Sequence, residues 1–144
     1  MKTWVVVASA ARARMFEALG RREPLHEVKD MVNPEDRLQR QELETDRPGR
    51  AFDSMGGHRH AMGSPVDPKE QVAIRFAKEV VDELESARHA KRFDALCVVA
   101  SPHFLGLLRQ RMSDALGRSV KGDLTKDLTR DDSVSVQSHV AHLL

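Results

Sequence analysis

The residues predict an α/β domain built on a mixed sheet, and three features carry that prediction. Thr3 to Ala8 and Phe93 to Ala100 are apolar runs of the length and composition of buried central strands. Between them, from about Asp67 to Lys91, apolar residues recur at helical spacing. Directly after the first run, two stretches alternate as strands do. Strand, helix, strand in that order favours a right-handed crossover with the two central strands parallel.

Each element has its own reason. Thr3 to Ala8 (T-W-V-V-V-A) is β-branched and apolar without a break. Ser9 to Arg12 turns the chain. Ala13 to Leu19 alternates, with Ala13, Met15 and Glu17 on one side and Arg14, Phe16 and Ala18 on the other. The pattern does not say which side is buried. Pro24 to Val32 alternates with one charged side, as an edge strand does. Short connections make these three strands an antiparallel meander. Asn33-Pro34 ends the third strand. A long loop, read as flexible, follows at about 33–66, with a short helix possible from Glu35 to Glu44.

Asp67-Pro68 reads as N-cap and first helical residue, with Glu70 in the first turn. Val72, Ala73, Phe76, Ala77, Val80, Val81, Leu84 and Ala87 form that helix's buried face. Pro102 opens another helix whose stripe is Phe104, Leu105, Leu108, Met112, Ala115 and Leu116, with Gly117 as its stop. Ser119 to Leu124 is a short strand. Asp131 or Asp132 caps a last helix toward Leu144, with Val136, Val140, Leu143 and Leu144 inward. The order β-β-β-(loop)-α-β-α-β-α is that of the RNase H-like fold, in one domain over 1–144.

Bulk properties narrow the function less. At 144 residues, the chain is long enough for one real core. A net charge of +1 gives no global pull toward nucleic acid or membrane, so any such attraction must be local. Cys97 is the lone cysteine and excludes an intrachain disulfide. It sits in an apolar run, which suits a reducing compartment, and a cytoplasmic location is the expectation. The apolar run after Lys2 is at the short end for a signal peptide and reads instead as the first strand. No run reaches the ~18–20 apolar residues of a membrane span, so no membrane partner is expected.

Catalytic constellations fit poorly. A two-metal nuclease needs carboxylates projecting from central strands; the first strand has none and the fourth offers Asp94 alone. His58-x-His60 is half of a zinc set at best and reads as two solvated loop histidines. His103 follows the fourth strand, where open sheets bind ligands, but a lone histidine at a helix start reads as a structural hydrogen bonder. Ser9 and Ser101 lack an evident base. The expectation is no catalytic residue, no metal and no cofactor. A hydrolase using His58 or His103 is a weaker reading. The loop differs in kind: from Arg47 to His60 it carries Arg47, Arg50 and Arg59 against a single acid, Asp53, with Gly49, Gly56 and Gly57. Arginine forks grip phosphate, and glycine lets backbone approach a ligand closely. The bland alternative is a surface loop with solvated arginines.

W-V-V-V-A-S-A-A-R-A-R-M-F, D-R-P-G-R, I-R-F-A-K (74–78), F-D-A-L-C-V-V-A-S-P-H-F-L-G-L-L-R (93–109) and T-K-D-L-T (125–129) together resemble the bacterial host-attachment protein family, over nearly the whole chain. That family is similar in turn to the central domain of archaeal and eukaryotic class-1 release factors and of Pelota, which is RNase H-like. There a Gly-Gly-Gln loop precedes a long helix and enters the peptidyl-transferase centre. Met55-Gly56-Gly57-His58 takes the corresponding place here. The glycine pair matches. His58 replaces the glutamine that helps position water, and the spacer to the helix is longer, so peptide release is not implied.

The resemblance implies a small release-factor-like domain that touches ribosomal or transfer RNA, connected with translation or ribosome rescue. Arg47, Arg50, Gly56, Gly57, His58 and Arg59 would be its RNA-binding loop. The rival reading is a non-enzymatic protein-interaction or regulatory domain, in keeping with the attachment label. Oligomeric state is not legible in the residues.

Overall fold

Thr3–Ala8 (β1) is central because neither of its faces meets water: all six residues are buried. The computed structural model describes residues 1–38 and 67–144. Arg12–Ala18 (β2) pairs antiparallel with β1, Val5 opposite Phe16 and Val6 opposite Met15. His26–Val32 (β3) pairs antiparallel with β2 and is mostly exposed, as its alternating charges predict. It starts two residues later than Pro24, and Leu25 is buried just before it.

Pro68–His89 (α1) starts as predicted. The Asp67 side chain accepts from Glu70 N, Pro68 opens the first turn, and the eight apolar residues named above are its buried face. The helix ends on Lys91 at φ 59°, a left-handed residue without glycine. Lys91 N donates to Arg88 O and Arg92 N to Ala87 O, each at 2.9 Å, the two bonds of a Schellman stop. Ala95–Ala100 (β4) follows, fully buried and parallel to β1, Val5 beside Cys97 and Val7 beside Val99.

The helix expected from Pro102 to Leu116 is two helices. Pro102–Arg111 (α2) stops at Met112, whose ψ of 139° is extended. Asp114–Ser119 (α3) restarts with Ser113 as N-cap, its side chain accepting from Leu116 N. Glu85 of α1 reinforces the break by accepting from Ser113 N at 3.0 Å. Gly117 therefore lies inside α3 rather than stopping a longer helix. Val120–Leu124 (β5) adds parallel to β4, with a register shift between Leu96 and Cys97. Asp132 caps Ser133–Val140 (α4), and a 3-10 turn, Ala141–Leu143, completes the run to the C-terminus.

The five strands lie in the order β3-β2-β1-β4-β5, the mixed sheet expected of an RNase H-like fold. Pleating sends Trp4, Val6, Met15, Leu96 and Val98 to one face, under α1, α2 and Leu116 of α3. Val5, Val7, Phe16, Cys97 and Val99 go to the other, under Val136 and Val140 of α4 and Leu128. Both sides of β2 are thus buried, which the alternation left open. No helix among the described residues is long and apolar enough to cross a membrane.

Candidate functional site

The predicted RNA-binding residues Arg47, Arg50, Gly56, Gly57, His58 and Arg59 lie outside the described residues, as does His60. What the structure describes is the base from which that segment departs and to which it returns.

The departure is fastened by Asn33. Its backbone N donates to Ala11 O and its Nδ2 to Ala10 O, both at 2.9 Å. Its Oδ1 accepts from Glu35 N at 3.2 Å and so starts the helical residues 34–38. Asn33 is buried although polar, and these bonds account for that. Glu35 then pairs with Arg75 of α1. The Arg75 hydrogen bond holds the Glu35 carboxyl below its ordinary value, and the same bond raises Arg75. Both side chains are about half exposed, so the pair orients more than it stabilises.

The return is fastened by Asp67 and Glu70. Asp67 caps α1, and Glu70 Oε1 lies 2.7 Å from His103 Nε2 in the first turn of α2. His103 is the structural hydrogen bonder that its position suggests, at 66% exposure. Ser9, Ala10 and Ala11 follow the end of β1, and Ser101 follows the end of β4. Both anchors therefore sit at the C-terminal end of the two parallel strands, the side on which open sheets take ligands.

Among the described residues, Ser9 and Asp94 are engaged in separate hydrogen bonds. Ser9 Oγ accepts from Ala11 N, and the Asp94 carboxylate accepts from Lys2 N at the other end of β1. Among the described residues, no group of three His, Cys, Asp or Glu is placed to hold a metal ion. Reasoning from the sequence assigned Glu70 only to the first turn and gave Glu35 and Arg75 no role. Their partners lie 33 and 40 residues away, a distance no local pattern reports.

A family model described as "Protein required for attachment to host cells" matches residues 4–140. The chain belongs to this family. The match runs over nearly the whole chain, including the residues of the sheet and its helices. Among solved structures, an archaeal translation termination factor, aRF1, matches with 10% sequence identity and a TM-score of 0.47. The alignment covers 99% of this chain and 36% of the factor's, so this chain spans about a third of that protein. No curated protein matches the chain in sequence.

Proposed function

We propose that this host-attachment family member is a non-catalytic RNA-contacting domain whose segment from Arg47 to His60 engages the phosphates of ribosomal or transfer RNA. The observation that carries the reading is that segment's make-up: three arginines and two histidines against one acid, with Gly49, Gly56 and Gly57 between them. Guanidinium forks suit phosphate oxygens, and glycines let the backbone lie close to a sugar-phosphate chain. The anchoring of both ends supports it. The described residues that flank the segment, Asn33 and Asp67, are each fixed by hydrogen bonds. The likeness of Met55-Gly56-Gly57-His58 to a Gly-Gly-Gln loop makes the ribosome the first RNA to try.

The test is co-sedimentation of the full chain with ribosomes, wild type beside Arg47→Glu/Arg50→Glu/Arg59→Glu. The wild type should pellet and the triple variant should stay in the supernatant. If all three arginines reach phosphate, log affinity should fall by about 2–3 units per decade of salt. Equal pelleting of the two proteins, or none by either, overturns the proposal. The family description favours a second reading, a protein-interaction module. Capture of one defined protein partner, undiminished by ribonuclease and by the triple substitution, would replace the first reading with that one.

A further inference from the structure

A cleft of about 550 Å³ lies where α2 breaks into α3, against the outer strand β5. That volume is within the range of small-molecule sites. Its apolar lining is Val98, Leu105, Met112 and Val120. Charged side chains stand around it: Arg109, Arg118 and Lys121, with Asp114 and Asp123.

Those charges are not equally committed. Arg109 is paired with Asp123 across the cleft. The Ser113 hydroxyl is used by Leu116 N and its backbone N by Glu85. Among the described residues, Lys121 Nζ donates to the Leu144 backbone oxygen alone, at 3.4 Å. Arg118 has no ion pair or hydrogen bond among the described residues, and Asp114, one helical turn before it, has none either. The cleft thus keeps two weakly engaged cations against one acid, over an apolar floor.

Gly117 lies exposed at the edge of the cleft. A Cβ built there meets nothing within 4 Å, although the residue faces the cleft lining. Its φ is not positive, so no backbone demand explains a glycine in α3. Glycine inside a helix costs roughly 1 kcal/mol relative to alanine. Here the exposed glycine leaves that edge of the cleft without a side chain.

We propose that this cleft is a binding site for a small molecule with an anionic head, phosphate or carboxylate, on an apolar body. Arg118 and Lys121 hold the head, the Arg109–Asp123 pair closes one side, and the body lies on the half-buried Met112 and Val120, above the buried Val98 and Leu105. The site is built from α2, α3, β4 and β5 and does not depend on the proposed RNA contact.

The probe is 1-anilinonaphthalene-8-sulfonate, an anion on an apolar body, titrated by fluorescence into the folded full chain. Wild type should bind it at a single site. Arg118→Glu/Lys121→Glu should weaken it about tenfold or more, and Asp114→Asn should tighten it. Gly117→Phe should abolish binding while its thermal midpoint stays at or above the wild-type value, which separates a filled cleft from an unfolded protein. Phenyl phosphate and benzoate should displace the probe, the stronger competitor naming the head group, whereas neutral aniline should not. Absence of binding by wild type, binding unchanged in both Gly117→Phe and the charge-reversed variant, or displacement by neither anion overturns the proposal.

Discussion

Arg14 is a buried cation in β2, and its neighbours explain how it is tolerated. Its Nε and Nη2 donate to the two Glu27 oxygens at 2.9 Å, Nη1 donates to Thr129 O and Asp131 O, and its guanidinium lies 5.0 Å from the Phe16 ring centre. The side chain therefore ties segment 125–131 to the sheet. Arg14→Ala should cost about 2–3 kcal/mol in urea unfolding, less than a fully buried pair because Glu27 is one-third exposed. Arg14→Lys should recover only part of that, since an ammonium cannot serve a carboxylate and two carbonyls with one planar fork. Next to it, the hydrogen bond from Arg12 holds Asp30 below its ordinary 3.8. Folding thus favours the carboxylate, so the stabilisation is complete above the unfolded value and is lost as pH falls through the lowered folded one. The advantage of wild type over Asp30→Asn should be full above the unfolded carboxylate's ordinary 3.8 and shrink as pH falls below it. Equal pH profiles of the two proteins would contradict this. Burial pushes the Cys97 thiol above its ordinary 9.0, so it stays protonated at neutral pH. It should resist a thiol reagent until the protein unfolds.

Helix ends carry the testable claims at the scale of elements. Lys91 holds a left-handed conformation that costs a residue with a Cβ roughly 1–2 kcal/mol. Lys91→Gly should therefore stabilise the protein by about 1 kcal/mol, measured by thermal or urea unfolding; a loss of stability would show that the Lys91 side chain contributes more than its strain. Ser113→Ala removes the cap of α3 and should cost about 1 kcal/mol. The start of α1 could be read from Asp67-Pro68 and its face from apolar spacing, because cap and period are both local. The interruption at Met112-Ser113 could not. The apolar stripe runs through it in phase, and the break is held by Glu85 on another helix.

Across the whole molecule, the sheet is protected unevenly. β1 and β4 are covered on both faces and paired on both edges, whereas β3 is exposed along most of its length. Amide hydrogen exchange should be slowest in β1 and β4, near the global unfolding limit, and markedly faster in β3; equally slow exchange in β3 would contradict this account. Of the candidate site, the arginine-glycine composition is legible in the residues, while its anchoring through Asn33, Glu35–Arg75 and Glu70–His103 is not. The cleft at Gly117 is equally invisible, since its walls come from β4, α2, α3 and β5. By itself the sequence determined the strands, the first long helix, the order of strands and helices short of the break at Met112-Ser113, and the mixed sheet, because hydrophobic period, caps and proline act within a few residues. Tertiary structure alone decided that both faces of β2 are buried, that Arg14 is a hub, that the penultimate helix breaks and that a cleft opens there. Each of these depends on which distant side chain arrives at a given place, and that is settled only when the sheet is assembled and its two faces are covered.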